Sequence, residues 1–237
     1  MSMRGGLRVL LVVVVIYLVI TALAWALQRS LIYLPDASKP STPDSAVDVT
    51  LTTDDGLELG AWLFAPVGVD RESAVLVANG NAGNRGGRVL LAQILARQGF
   101  AVLLFDYRGY GGNPGSPHEE GLYADSRAAY AHLTEEAGYS PQRILFFGES
   151  LGCGVVAALA AEHPPAGMLL RSPFADLPSA GQRAYPFLPV RMLLSDRFPV
   201  ADDVVRAEVP LTVVYGTADS VIPPDHSRQV VDAATEA

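Results

Sequence analysis

Residues 144–155 read ILFFGESLGCGV, and they give the clearest indication of the fold. The apolar residues from Ile144 to Phe147 predict a buried strand, and the small apolar residues of 151–162 predict a helix directly after it. The turn between them has the pattern G-x-S-x-G, with glycine two positions before and two positions after Ser150. Such a tight turn strains the backbone at its centre, and the two glycines avoid collisions with the neighbouring strand and helix. The stretch therefore predicts a strand, a sharp turn and a helix in direct succession.

The same alternation of strand and helix continues on both sides of this stretch. The predicted pairs are 74–78 with 89–98, 101–105 with 122–137, 144–147 with 151–162, and 211–215 with 225–235, and one more strand is predicted at 167–170. This alternation predicts an α/β fold, with a mostly parallel twisted sheet and helices on both of its faces. Ahead of these pairs, 47–53 and 57–65 flank Asp54-Asp55-Gly56 and predict a β-hairpin.

Two side chains follow predicted strands at the carboxyl ends, which is where open α/β sheets bind their ligands. Ser150 lies at a helix N-terminus, and G-x-S-x-G between strand and helix predicts a nucleophilic serine. An ordinary glycine-rich turn is the alternative. Asp219 follows the strand at 211–215, and its place after the serine suits the acid that orients a catalytic histidine. A capping or turn-forming aspartate is the alternative at that position.

The loop Asn79-Gly80-Asn81-Ala82-Gly83-Asn84 follows the first strand of the alternating series. A loop at this place supplies a second backbone N–H to an oxyanion, so the predicted donors are the amides of Asn81 and Leu151. A plain turn is the alternative. A phosphate-binding loop would also explain the glycines, but the sequence has neither G-x-x-x-x-G-K-[ST] nor a G-x-G-x-x-G that opens a helix.

Two further segments are predicted to shape the pocket. In the loop 106–115, Asp106 and Arg108 are expected to brace the backbone, and Tyr110 is expected to face the pocket. The insertion 172–209 is irregular, apolar and rich in proline, and it predicts a lid over the strand ends that would suit an acyl chain. A packed loop without a role in binding is the alternative.

Composition and charge exclude several classes of protein. Of 237 residues, 50% are hydrophobic, so the chain is neither disordered nor collagen-like. The single cysteine, Cys153, forms neither an intrachain disulfide nor a Cys-rich zinc site. Residues 30–237 carry 14 basic and 25 acidic side chains, a net charge of −11. A domain this acidic repels phosphate backbones, which argues against nucleic acid as a partner.

The N-terminal segment, residues 1–29, predicts a transmembrane anchor. Residues 9–27 are 19 consecutive uncharged positions, and as a helix they would span roughly 28 Å, close to the hydrocarbon thickness of a bilayer. A buried core helix and a cleaved signal peptide, suggested by Ala22-Leu23-Ala24, are the alternatives, and the length of the apolar run favours retention. The lipid bilayer is thus the predicted partner of residues 9–27.

The charges around this span predict a single-pass protein with its N-terminus in the cytoplasm. Arg4 and Arg8 precede the span, whereas basic and acidic residues are mixed after it, and positive charge favours the cytoplasmic side. The domain would then lie outside the cytoplasm. Residues 30–46 are rich in Pro, Ser and Asp and predict a linker, which leads into a domain over 47–237.

Four motifs occur in the order Asn-Gly-Asn-Ala-Gly-Asn, Asp-Tyr-Arg-Gly-Tyr-Gly, Gly-Glu-Ser-Leu-Gly and Gly-x-x-Asp-x-x-Ile-Pro. Together they resemble the α/β-hydrolase superfamily, and within it the membrane-anchored serine hydrolases that include acyl-protein thioesterases and lipid esterases. The resemblance covers the chain from Gln28 to its end. It implies an α/β-hydrolase fold with Ser150 as nucleophile, Asp219 as triad acid, and Asn81 and Leu151 as oxyanion donors. It also implies a small-molecule or acyl-group substrate, with no cofactor and no metal.

The chain departs from this family at two places. Asn79 stands where many relatives have His-Gly, which changes the bracing of the loop but not its backbone donors. In the family the catalytic histidine lies past one more helix and one more strand, whereas 18 residues follow Asp219 here. His226 resembles a structural histidine that steadies the acid's loop, and a role as the base is the less favoured alternative. The last strand and the histidine loop are thus expected to be missing, and a C-terminally truncated copy of an active hydrolase is the simplest hypothesis.

The leading functional hypothesis is a membrane-anchored serine hydrolase that cleaves carboxylic ester or thioester bonds through an acyl-enzyme intermediate. A catalytically impaired hydrolase or pseudoenzyme that keeps a binding pocket is the alternative, because a serine without a base is a weak nucleophile. A serine peptidase is a closer rival. A cofactor-free dehalogenase is disfavoured, since those enzymes carry Asp at the position of Ser150.

Overall fold

A computed structural model describes residues 3–236 of the chain. Its helices are α1 (Met3–Ala26), α2 (Gln28–Ile32), α3 (Val89–Arg97), α4 (Glu119–Ala131), α5 (Leu151–Glu162), α6 (Leu177–Ala184), α7 (Val190–Leu193), α8 (Val200–Ala207) and α9 (Pro224–Glu236). Its strands are β1 (Leu34–Pro35), β2 (Ala46–Thr52), β3 (Glu58–Phe64), β4 (Ala74–Ala78), β5 (Ala82–Gly83), β6 (Ala101–Phe105), β7 (Ile144–Glu149), β8 (Gly167–Arg171) and β9 (Leu211–Val214).

The main sheet has seven strands in the order β2-β3-β6-β4-β7-β8-β9. Strands β2 and β3 form an antiparallel hairpin, and β3 pairs antiparallel with β6. All pairings from β6 through β4, β7 and β8 to β9 are parallel. Every residue of β4 and β6 is buried, because central parallel strands are covered on both faces. The predicted α/β fold with a mostly parallel sheet is confirmed.

Helices cover both faces of this sheet and enclose two hydrophobic cores. The smaller core lies under α3 and includes Trp62 and Phe64, and the larger core lies under α4, α5, α8 and α9. Helix α5 is the most deeply placed, since all of its residues from Leu151 to Ala160 are buried. Because α5 directly follows β7, its N-terminus is held firmly at the carboxyl edge of the sheet.

Helix α1 projects from the domain. The most apolar 18 residues within Gly5–Ala26 have a mean hydropathy of 2.9, and none of them is buried. The alternative of a buried core helix is therefore wrong. By length and composition, this helix can cross a membrane.

The segment after α1 is tied closely to the domain. Strand β1 pairs with β5, in register at Leu34 with Ala82. The Tyr33 ring is buried, and its hydroxyl donates a hydrogen bond to Asp196 at 2.6 Å. The sequence predicts a linker over 30–46, but the apolar Tyr33 and the backbone of β1 find partners on the domain surface, so this part of the segment belongs to the folded unit.

Candidate active site

Ser150 has the backbone conformation of a strained turn. Its φ of +51° and ψ of −112° lie in a region that residues other than glycine rarely adopt. Two backbone hydrogen bonds hold the turn. The Ser150 N–H donates to the carbonyl of Arg171 at 2.9 Å, and the Cys153 N–H donates to the carbonyl of Ser150 at 2.9 Å. The side chain of Ser150 is thereby held at the start of α5.

The glycines on either side of Ser150 are required by close packing. A Cβ at Gly148 would lie 2.7 Å from the Cα of Cys153, and a Cβ at Gly152 would collide with the carbonyl oxygen of Ala78. Carbon atoms do not approach so closely without displacement of the backbone. The predicted strand–turn–helix geometry is confirmed.

Ser150 and Asp219 line one open cavity of about 330 Å³. The cavity lies at the carboxyl edge of the sheet, as expected for this architecture. Its lining residues are Gly80, Asn81, Ala82, Arg88, Glu149, Ser150, Arg171, Ser172, Asp219, Val221 and Ile222. The structure therefore brings together the predicted serine, the predicted acid and the predicted oxyanion loop.

Asp219 is held in a turn after β9. One of its carboxylate oxygens accepts hydrogen bonds from the N–H groups of Ile222 and Val221, each at 2.9 Å. These two bonds, with that of Ile222 the stronger influence, lower the pKa of Asp219 below its ordinary value, and Ser172 adds to the effect. Asp219 is therefore ionised at neutral pH, as an acid that orients a histidine must be.

The predicted oxyanion loop is fixed from both sides. The side chain of Asn81 donates to the carbonyl of Ile32 at 2.8 Å, and the carbonyl of Asn81 accepts from the Leu34 N–H at 2.9 Å. A Cβ built at Gly80 would lie 3.7 Å from the Cβ of Ser150, so this loop runs directly beside the serine. Leu151 is the first residue of α5, and the N–H groups of a first helical turn have no acceptor within the helix.

Tyr110 does not line the cavity. Its ring is buried, and its hydroxyl donates to the carbonyl of Asn81 at 2.8 Å. The expectation that Tyr110 faces the pocket is therefore wrong, because its hydroxyl donates instead to a backbone carbonyl of the oxyanion loop. Tyr107 acts in the same way on Asn79, whose carbonyl accepts its hydroxyl at 2.8 Å.

Three ion pairs brace the loops around the site. The guanidinium of Arg85 and the carboxylate of Asp106 are both buried and lie 2.6 Å apart. Burial raises the pKa of Asp106 to about 6, while the charge of Arg85 opposes the rise. Arg108 pairs with the buried Asp125 at 2.7 Å and with Asp55 at 2.8 Å. The positions of Asp106 and Arg108 agree with the predicted bracing role.

His226 is buried near the start of α9, away from the cavity lining. Its Nδ1 lies 3.5 Å from the N–H of Ala175, from which it accepts. Burial lowers the pKa of His226, so the ring is neutral at pH 7. The ring links α9 to the loop after β8, which agrees with a structural role. In the described part of the chain, no histidine is among the residues that line the cavity.

The sequence and the fold were compared with known proteins. A family model described as serine aminopeptidase, S33, matches residues 70–200, which is more than half of the chain. The chain belongs to this family of α/β hydrolases. The matched residues contain the oxyanion loop and Ser150.

Relatives of this hydrolase extend over nearly its whole length. An uncharacterized protein of Mycobacterium tuberculosis (strain ATCC 25618 / H37Rv) is 44% identical over 236 residues, which cover 97% of this chain and 84% of that protein. The lysophosphatidylserine lipase ABHD12 of Danio rerio is 28% identical over 291 residues, with 98% of this chain and 75% of that protein covered.

Solved structures show the same fold. An esterase of Pyrococcus furiosus superposes with a TM-score of 0.70 at 20% identity and covers 86% of this chain and 85% of its own. An α/β hydrolase of Vibrio vulnificus has a TM-score of 0.72 at 19% identity and covers 85% and 78%. The α/β-hydrolase fold implied by the four motifs is thus confirmed.

The cavity of this hydrolase also contains a charge cluster that the sequence analysis missed. Glu149 accepts two hydrogen bonds from Arg88, at 2.7 and 2.9 Å, and one from Arg171 at 3.1 Å. Two guanidinium groups thus face one carboxylate beside Ser150. Arg171 ends β8 at the carboxyl edge of the sheet, so the rule that located Asp219 also points to it. No local sequence pattern points to Arg88, because 61 residues separate it from Glu149.

The insertion 172–209 does not form a lid over this cavity. Of its residues only Ser172 is in the lining. Helix α8 packs against α5 and α9, which makes it part of the larger core. Helices α6 and α7 lie instead beside α2 and the end of α1, where their apolar residues meet other apolar side chains. The prediction of a lid is corrected in this respect.

Proposed function

We propose that this hydrolase cleaves carboxylic ester or thioester bonds through an acyl-enzyme intermediate on Ser150. One observation carries the proposal: a strained serine between β7 and α5 shares a cavity with an ionised aspartate and a fixed oxyanion loop. A nucleophile elbow with its supporting groups would have this arrangement, which supports the proposal. The hydroxyl of Ser150 would attack the acyl carbon, and water would later release the acid.

The oxyanion of the tetrahedral intermediate would be bound by the N–H groups of Asn81 and Leu151. Backbone donors suit this task because they are fixed before the reaction and lose no freedom in the transition state. In this chain, the contacts of Asn81 with Ile32, Leu34 and Tyr110 provide that rigidity. Removal of one such donor typically costs about 10²–10³ in kcat.

The proposal requires a general base for the Ser150 proton. Asp219 is held so that it can orient an imidazole, and we propose that an imidazole bound against this carboxylate acts as the base. His226 is assigned a structural role, because its Nδ1 is directed at the N–H of Ala175 and its ring does not line the cavity. A hydrolase without its base would retain binding but little turnover.

We also propose that residues 9–27 anchor the protein in a bilayer as a single-pass helix. The exposed apolar surface of α1 supports this, since such a surface is costly in water. The catalytic domain would lie on the extracytoplasmic side, as Arg4 and Arg8 indicate. A lipid ester is a fitting substrate class for a hydrolase held at a membrane, and the relative in Danio rerio is named as a lysophosphatidylserine lipase.

Fluorophosphonate labelling tests the proposed chemistry. The protein in mild detergent is incubated with a fluorescent fluorophosphonate, alongside Ser150→Ala, Asp219→Asn and His226→Asn. We expect labelling that is absent in Ser150→Ala, strongly reduced in Asp219→Asn and retained in His226→Asn. Labelling that survives in Ser150→Ala would rule out this serine as the nucleophile.

Substrate class is tested with matched reporters. A p-nitrophenyl ester and an aminoacyl p-nitroanilide differ mainly in the bond that is cleaved. We expect Ser150-dependent release from the ester and little from the anilide. Faster release from the anilide would instead favour the peptidase activity in the description of the family model.

A further inference from the structure

The α6–α7 segment, residues 177–195, contacts α1 far from the base of that helix. The hydroxyl of Tyr17 donates to the carbonyl oxygen of Phe187 at 3.2 Å, although 170 residues separate the two. Tyr17 precedes Leu27 by ten residues, which is about 15 Å along the helix axis. Phe187 therefore lies beside the middle of the apolar span 9–27.

The α6–α7 segment presents large apolar side chains to its surroundings. The exposed fractions are 49% for Tyr185, 64% for Phe187 and 85% for Met192. In water, a set of this size marks a site that contacts an apolar phase or a partner. Its surface is continuous with that of α1, whose apolar residues are exposed along the whole span.

An apolar groove joins the segment to the base of the helix. It is lined by Ala24, Gln28, Leu31, Ile32, Leu177, Gly181, Tyr185, Leu188, Val190, Leu193 and Leu194. Ile32 connects the groove to the candidate active site, because its carbonyl accepts the side-chain hydrogen bond of Asn81. One residue that lines the groove is therefore in direct contact with the oxyanion loop.

The charge of the segment differs from that of the rest of the domain. Residues 177–195 contain Arg183 and Arg191 and no acidic residue, whereas residues 30–237 together have a net charge of −11. Apolar side chains flanked by basic ones are typical of segments that lie in a membrane interface. A surface for an ordinary soluble partner would not need to follow α1 into its apolar span.

We propose that the α6–α7 segment enters the same bilayer leaflet as the base of α1, and that acyl chains of lipids in that leaflet occupy the groove. This inference rests on the proposed membrane anchor. The Tyr17 contact has a physical reason in this setting, since a backbone carbonyl in hydrocarbon needs a donor from the protein. A membrane lipid could then present its ester to Ser150 by moving along the groove without crossing water.

Spin labels test the depth of the segment in the membrane. Single cysteines replace Phe187, Met192, Leu18 and Val69 in the full-length protein, which is reconstituted in phosphatidylcholine nanodiscs. Val69 is the matched control, because it is as exposed as Met192 and lies in the loop before β4, at the opposite edge of the sheet. Cys153 is fully buried, and the chain without added cysteine measures its labelling.

The measured quantity is the ratio of two collision rates of the spin label. One is the rate with oxygen, which concentrates in lipid, and the other is the rate with a water-soluble nickel chelate. We expect lipid-like ratios at Phe187, Met192 and Leu18 and a water-like ratio at Val69. A lipid-like ratio at Leu18 together with water-like ratios at Phe187 and Met192 would overturn the inference but not the proposed membrane anchor. A water-like ratio at Leu18 would overturn both.

A photoreactive lipid tests the occupant of the groove. The wild-type protein is reconstituted with a phosphatidylcholine that carries a diazirine on one acyl chain, irradiated and digested. We expect cross-links in peptides from 177–195 and from 24–32, and none in the peptide that contains Val69. Cross-links confined to α1 before residue 24 would show that the groove does not take acyl chains.

Discussion

At Gly152, a single missing side chain permits the turn that carries Ser150. We predict that Gly152→Ala destabilises the protein by about 1–3 kcal/mol, because the added methyl group would overlap the carbonyl oxygens of Ala78 and Asn79. Gly87→Ala is the matched control, since no atom lies within 4 Å of a Cβ built there. Thermal unfolding and fluorophosphonate labelling measure the two effects. Equal unfolding temperatures for the two variants would contradict the packing argument.

His226 gives the fold a pH dependence. Its pKa is lowered by burial, and Arg183 adds to this effect while Asp225 and Asp176 oppose it. The unfolded chain, with an ordinary histidine pKa of about 6.5, therefore binds more protons than the folded one below that pH. The contribution of His226 to the free energy of unfolding is fully present above about pH 6.5, and it is lost as the pH decreases through the pKa of His226 in the folded protein.

We predict that His226→Asn reduces the loss of stability between pH 7.5 and pH 5.5. The asparagine side chain can still accept from the N–H of Ala175 but does not titrate in this range. The change in unfolding temperature between the two pH values is measured for both proteins in the same detergent. A loss that is unchanged in the variant would show that other groups are responsible.

At the level of elements, α2 and β1 act as a brace between the anchor and the site. Tyr33 fixes the brace through its buried hydrogen bond to Asp196, and the neighbouring Ile32 and Leu34 hold Asn81. We predict that Tyr33→Phe costs about 1–3 kcal/mol, because a buried carboxylate loses its hydroxyl donor. Tyr139→Phe is the control, since that ring is half-buried and lies in the loop before β7, at the opposite edge of the sheet from the cavity.

Fluorophosphonate labelling of the same pair tests the link from brace to site. The rate of labelling should fall in Tyr33→Phe and remain unchanged in Tyr139→Phe. If Tyr33→Phe loses stability and labels at the original rate, the brace stabilises the fold but does not position the oxyanion loop.

Element boundaries show where local sequence signals are weak. The sequence places the helix after β6 at 122–137, whereas α4 begins at Glu119 and ends at Ala131, followed by a single π turn over His132–Glu136. Glu119 and Glu120 in the first turn suit the positive end of the helix dipole. The carboxylate of Glu119 also accepts from the N–H groups of Arg197 and Phe198, a long-range contact that local patterns do not reveal.

For the whole molecule, the proposed orientation predicts which side of the membrane the domain occupies. A cysteine at Val69 should react with a membrane-impermeant maleimide in intact cells that express the protein, because the domain would lie outside the cytoplasm. The side chain at this position is exposed, and the buried Cys153 contributes little background. Reaction only after lysis would place the domain in the cytoplasm.

Features that depend on neighbours along the chain can be predicted from the sequence alone. The apolar run before Gly148, the glycines around Ser150 and the small residues of α5 fix a strand, a turn and a helix through local sterics and periodicity. Helix α1 follows from composition alone. The sequence also indicates Asp219, because it follows a predicted parallel strand and the carboxyl ends of such strands meet at one edge of the sheet.

Contacts between residues that are distant in the sequence become visible only in the folded chain. Tyr110 turned out to brace Asn81, Arg88 to pair with Glu149, and Tyr33 to bond Asp196 across 163 residues. The insertion has an apolar, irregular pattern that predicts a lid, whereas in the structure its helices α6 and α7 lie beside α2 and the carbonyl of Phe187 accepts from the Tyr17 hydroxyl. The physical reason is that a local pattern fixes the backbone, whereas the direction of a loop side chain depends on the partners that folding brings within reach.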